Sequence, residues 1–146
     1  MSFGFAPLNG TSVLYNRLDF GLVCIMKENY EVFIPTSDTF NKLYHVLSES
    51  KAALKSDCIE YAVFSRNKEL YQYPNWYVRA VVNGYIYEDG NGNGYGFWMF
   101  HEDSGEIAMS EGSYILRNFQ GDLMYMEPYE FKRHYEIIEE GTTDGC

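Results

Sequence analysis

Tyr114-Ile115-Leu116-Arg117-Asn118-Phe119-Gln120-Gly121-Asp122-Leu123-Met124-Tyr125-Met126-Glu127-Pro128 is the stretch that decides the fold class. Two short apolar and aromatic runs flank a polar turn, Asn118 to Gly121, that ends in glycine, which is the pattern of a β-hairpin. Directly after the second run, Glu127-Pro128 opens a helix with proline at its first position, where the missing amide costs nothing. Phe131, Tyr135 and Ile138 then fall on one side of that helix. A hairpin followed by a helix, with no alternation of strands and crossover helices, predicts an α+β fold built on antiparallel pairing.

Working towards the N-terminus, Tyr95 to Phe100 and Glu106 to Met109 flank a five-residue polar connection, His101 to Gly105, and predict another hairpin. Before it, Gly90, Gly92, Gly94 and Gly96 alternate with Asn and Tyr, which makes Glu88 to Gly96 a loop or wide turn. Trp76 to Val82 reads two ways. Its aromatic and β-branched residues favour a strand, whereas Asn75 as a cap and Gly84 as a stop favour a helix. Cys58 to Ser65 has a strand pattern, with a polar turn at Arg66 to Glu69 before Leu70 to Tyr73. Pro35-Thr36-Ser37-Asp38 opens the clearest helix, about 37–54, capped by Thr36 or Ser37, with Phe40, Leu43, Tyr44, Leu47 and Leu54 on one face. That stripe is read as packing on the protein's own sheet. Ser12 to Tyr15, Phe20 to Met26 and Tyr30 to Ile34 read as strands, the last two joined as a hairpin across Lys27-Glu28-Asn29.

At 146 residues and 46% apolar content, a single domain over 1–146 with its own core is expected. Fourteen tyrosines and ten phenylalanines supply rigid amphipathic surface, suited to a core and to a binding face alike. No run reaches the roughly 18 apolar residues of a spanning helix. Met1 to Gly10 lacks the basic and apolar regions of a signal peptide, so the expected location is a cytoplasm. Cys24, Cys58 and Cys146 are odd in number and far apart, which fits reduced thiols, the first two in the core. Residues 1–73 carry eight acidic and seven basic side chains, while residues 74–146 carry thirteen and four. The excess negative charge therefore sits in the second half, where it repels nucleic acid and anionic membranes and attracts basic partners.

That half also resembles a family of small tailed-bacteriophage proteins of unassigned function. The likeness rests on Gly105, Gly112-Ser113-Tyr114-Ile115-Leu116, Gly121-Asp122, Pro128, Phe131 and Tyr135-Glu136, which match a pattern of G-D-Y-I-I, then G-E, then P-x-x-F-x-x-x-Y-E. Upstream, Trp76, Ala80, Gly84 and Ile86 resemble the family's W-x-x-x-A-x-x-x-G-x-I segment, in which the tryptophan begins a helix. The resemblance covers about residues 74–137 and implies a phage origin, a hairpin-helix module closed by a C-terminal helix at about 128–138, and a short helix at about 76–83. Met124-Tyr125 stands where the family has Tyr-Pro, and Ser113 where it has aspartate. No reaction is implied.

The residues themselves carry no catalytic or metal-ligand pattern. His45, His101 and His134 lie on different elements without H-x-x-x-H or C-x-x-C spacing, no G-x-S-x-G elbow occurs, and the glycine loop lacks the Lys-Ser/Thr of a phosphate-binding loop. The pairs Glu102-Asp103 and Glu139-Glu140 read as solvated charge. What stands out is an ensemble: Glu88, Asp89, Glu102, Asp103, Glu106, Glu111 and Asp122 on or beside loops, with Tyr85, Tyr87 and Tyr95 among them. The expectation is a non-enzymatic, phage-encoded binding protein without cofactor or metal. It would inhibit a basic host protein, a nucleic-acid-binding defence component of the kind met by anti-CRISPR or anti-restriction proteins, by occluding its basic groove. Two alternatives remain. One is a nucleotide or small-molecule sequestering protein with Trp76, Tyr77 and Tyr114 lining a pocket and Arg79 and Arg117 holding an anion; the other is a minor virion or assembly protein that forms a homo-oligomer.

Overall fold

The structure, a computed structural model, describes residues 3–27, 29–89 and 97–137. In chain order the elements are β1 (Phe3–Pro7), β2 (Val13–Arg17), β3 (Val23–Met26), β4 (Val32–Phe33), α1 (Ser37–Leu43), β5 (Tyr44–Val46), β6 (Lys51–Leu54), β7 (Cys58–Val63), α2 (Asn75–Val82), β8 (Ile86–Asp89), β9 (Phe97–Glu102), β10 (Gly105–Ala108), β11 (Tyr114–Arg117), β12 (Leu123–Met126) and α3 (Pro128–His134). This is the α+β class with antiparallel sheets that the hairpin patterns require. No described helix is long and apolar enough to cross a membrane. The described residues divide into two compact units, one of residues 5–59 with 132–137, the other of residues 3–4 with 60–131.

In the first unit the strand order is β4-β3-β2-β6-β5. Alternation places Val13 and Tyr15 of β2 on the same side as Val23 and Ile25 of β3, where they pack with Phe40, Tyr44 and Ala52. The β3–β4 hairpin pairs Ile25 with Phe33 and Met26 with Val32, as the flanking runs predict. Helix α1 starts where expected, with the Thr36 hydroxyl accepting from the Thr39 amide at 3.2 Å, and Phe40 is fully buried. It stops at Leu43, however, and not at Leu54. Tyr44-His45-Val46 favours a strand, Ser48-Glu49-Ser50 supplies a polar turn, and the chain returns as β6 with His45 opposite Ala53 and Val46 opposite Ala52. The apparent helical stripe is the buried side of α1 followed by a hairpin. Burial, helped by Asp57, pushes the Cys58 thiol up to about 11, consistent with an unreactive core cysteine, whereas Cys24 is half-exposed. Cys146 lies outside the described residues.

The second unit holds the greater part of β7 paired with β11, and β11 with β12, together with a three-stranded sheet in the order β10-β9-β8. Its core joins Phe64, Tyr73, Trp76, Tyr77, Ile86, Phe100, Met109 and Ile115. Trp76 to Val82 is helical, so burial of Trp76, Tyr77 and Ala80 on one face outweighs strand propensity. Pro74 stands at the threshold of α2 and Asn75 is already inside it, so asparagine is not the cap. Gly84, at φ +84°, ends the helix in a conformation that other residues adopt only under strain. The β9–β10 connection is shorter than its composition suggests. Pairing continues to Glu102 opposite Gly105, because His101 and Glu106 face each other and join at 2.9 Å, and only Asp103-Ser104 is left as the turn. In the β11–β12 turn the Asn118 side-chain oxygen accepts from the amides of Gln120 and Asp122 at 3.0 and 2.8 Å, fixing the expected hairpin. Helix α3 begins at Pro128 as expected and ends at His134.

Ser113 is fully buried, and its hydroxyl has no partner among the described residues. An orphaned buried hydroxyl is destabilising, so Ser113→Ala should leave the melting temperature unchanged or raise stability by up to about 1 kcal/mol. A clear loss on thermal melting would show that the hydroxyl is engaged.

Candidate functional site

The three-stranded sheet sorts the acidic and tyrosine residues onto different faces. Ile86, Phe100 and Ile107 stand opposite one another in register, and Ile86 and Phe100 are buried in the core. By the twofold period of a strand, Glu88, Trp98 and Glu102 share that side, while Tyr87, Asp89, Met99, His101 and Glu106 share the outer one. Outside, the Tyr85 carbonyl accepts from the His101 amide at 2.8 Å, and the two rings lie 6.3 Å apart. The Tyr87 hydroxyl is held above its ordinary pKa, first by loss of hydration, then by the charge and hydrogen bond of Glu106 and by Asp89. Tyr85, Tyr87, His101 and Glu106 are thereby knitted into one surface. Tyr95 and the Gly90 to Gly96 loop lie outside the described residues.

Glu111 does something different. Its carboxylate accepts from the Arg66 amide at 2.9 Å and from the Ser65 side chain, and these bonds hold its pKa below the usual carboxylate range. The residue anchors the Ser65–Lys68 turn. A carboxyl whose folded pKa is depressed stabilises the fold above its unfolded pKa and loses that contribution as pH falls through the folded value. Glu111→Gln should therefore lower the melting temperature at pH 7, and the difference from wild type should close as pH drops below about 4. A pH-independent difference would argue against the carboxylate bonds as its cause.

Glu88 is exposed and also borders a pocket of about 520 Å³ lined by Arg66, Lys68, Tyr73, Tyr77 and Trp98. Tyr73 and Tyr77 stack there at 3.9 Å with an 8° tilt, and the Lys68 ammonium lies 4.6 Å above the Tyr73 ring. Loss of hydration lowers the Lys68 pKa and raises those of both tyrosines. The internal pairing of these groups, including the Tyr73 hydroxyl with the Ser65 backbone, makes this region chiefly architectural.

Glu102, Asp103 and Asp122 come together at a larger open cleft of about 920 Å³. One wall is the face of α2 bearing Trp76, Arg79, Ala80 and Asn83, spaced i, i+3, i+4, i+7; the other is made by the β9–β10 and β11–β12 turns, and Arg117 also lines the cleft. Arg79 and Arg117, the sequence-level candidates for holding an anion, do meet here beside Trp76. Tyr77 and Tyr114 do not: Tyr77 stacks on Tyr73, and Tyr114 stacks on Phe131 at 4.0 Å. Arg117 is spent on Glu60, its cross-strand neighbour, at 2.9 Å. Asn83 and Ser104 also line the cleft and have no individual signal in the sequence; the helical spacing of Asn83 from Trp76 is the one clue to it.

Among the described residues no group of three or more histidine, cysteine or acidic side chains is arranged to hold a metal ion. Comparison with known proteins finds no matching family model, curated protein or solved structure.

Proposed function

We propose that this protein acts by binding, as an acidic domain that lays its carboxylates against a basic surface of a partner protein. The observation that carries the reading is uncompensated charge. Residues 1–4 and 60–131 contain eleven acidic and four basic side chains, and Glu88, Asp89, Glu102, Asp103 and Asp122 reach the surface with no cationic partner among the described residues. Carboxylates left unpaired on strand ends and turns add nothing to the fold and repel one another, so their yield is in long-range attraction of positive charge. The tyrosine surface around Tyr85 and Tyr87 supplies rigid aromatic contact beside them. Joined to the phage resemblance of residues 74–137, the reading makes the partner a host nucleic-acid-binding defence protein whose basic groove is occluded.

The test is capture from bacterial lysate on immobilised protein at low and high salt. A groove-binding partner should be retained at about 50 mM salt and released well before 1 M, where screening shortens the reach of charge to about 3 Å. Retention indifferent to salt removes the electrostatic mechanism.

A further inference from the structure

We propose that the cleft between α2 and the two hairpin turns is the specific receptor for a basic peptide segment of the partner, with one arginine or lysine side chain inserted among Glu102, Asp103 and Asp122. This inference deepens the acidic-surface reading and rests on it.

The cleft itself, with a wall of each sign, is what carries the proposal; the carboxylates decide what enters. Its basic side chains are mostly committed: Arg117 is paired with Glu60, and the His101 ring bonds Glu106. Arg79 is exposed and makes no ion pair among the described residues. Opposite it stand three carboxylates without a cationic partner among the described residues, where Glu102 accepts from the Ser104 hydroxyl at 3.3 Å and Asp122 from the Asn118 amide at 3.5 Å. With three acids against one free guanidinium, an anionic occupant such as a nucleotide is disfavoured and a cationic one favoured. The free Arg79 and the Asn83 amide still need acceptors, which a peptide offers in its backbone carbonyls. Trp76 lines the same wall but is about nine-tenths buried in the core, so its indole reports on occupation of the cleft and is not itself an open contact face. A simple cation satisfies the acids alone, whereas a basic peptide satisfies both walls.

The experiment is an NMR titration of the full chain at low ionic strength with an N-acetylated, C-amidated Gly-Arg-Gly peptide, with ATP as the anionic control. The peptide should shift the Trp76 indole and Asn83 side-chain signals saturably. The triple variant Glu102→Gln, Asp103→Asn, Asp122→Asn, shown by circular dichroism to be folded, should bind at least about tenfold more weakly. Glu88→Gln with Asp89→Asn, outside the cleft, should leave peptide affinity unchanged. No saturable peptide binding, equal weakening by the two sets, or ATP binding that is lost with Arg79→Ala and kept in the triple variant would each overturn the proposal. Lysate capture run in parallel separates the two ideas. A partner lost on Glu88→Lys with Asp89→Lys but retained by the cleft variant leaves the acidic-surface reading standing without the cleft, and salt-independent capture brings down the broader reading.

Discussion

Reversing Glu88, Asp89, Glu102 and Asp103 to lysine should weaken partner capture by at least about 100-fold while leaving the fold intact, since removing or inverting charge at a complementary interface costs more than about 1 kcal/mol per close pair. These four are chosen because none has a cationic partner among the described residues and three are fully at the surface, with Glu102 half-exposed. Surface charges of this kind contribute little to stability, so the circular dichroism spectrum should be retained and the melting temperature should shift by only a few degrees. Glu106 and Glu111 are left out deliberately. The first is bonded to His101 and Tyr87, the second to the Arg66 amide, so reversing either would disturb structure and binding together. The control is Asp19→Lys with Glu49→Lys, two exposed acids of the other unit. Equal loss of capture in the control would show a bulk-charge effect, and undiminished capture in the quadruple variant would remove these residues from the interface.

The elements that the sequence announces are those whose signals are local. Asn118 to Gly121 carries its own turn chemistry, and Asn118 does close that turn; Pro128 cannot sit deep in a helix and does begin one. The long helix expected over about 37–54 fails for the opposite reason. Leu43, Leu47 and Leu54 keep the helical period by coincidence across a turn, and what ends α1 is the chance for Tyr44 to Val46 to pair with Lys51 to Leu54, a tertiary event that periodicity does not register. The cleft was legible only in part. Trp76, Arg79 and Asn83 fall on one face once α2 is helical, but Asp103 and Asp122 sit on different hairpins, and no spacing rule connects them. Glu111 illustrates the limit on the acidic side: its type and position mark it as surface charge, yet its carboxylate is consumed by an amide 45 residues away in sequence.

Phe131→Ala should destabilise the protein by about 3–5 kcal/mol, lowering its melting temperature by roughly 10 °C or more. The ring is fully buried, stacks on Tyr114 at 4.0 Å and 9°, and meets Tyr61 at 5.3 Å and 56°, so that β7, β11 and α3 are joined through three aromatic rings. Such pairs contribute beyond their buried area, and truncation leaves a void flanked by two large rings that do not collapse into it. Helix α3 has only seven residues, too few to hold itself in water, so its formation depends on this contact. Tyr129→Ala on the same helix is the comparison: its side chain is 65% exposed, and the expected change is within about 0.5 kcal/mol. Phe131→Leu, which keeps most of the apolar volume, should fall between the two. If Phe131→Ala melts early yet captures the partner normally well below its melting temperature, Phe131 serves the closing of α3 on the sheet and not binding; a stability equal to wild type would refute the aromatic lock.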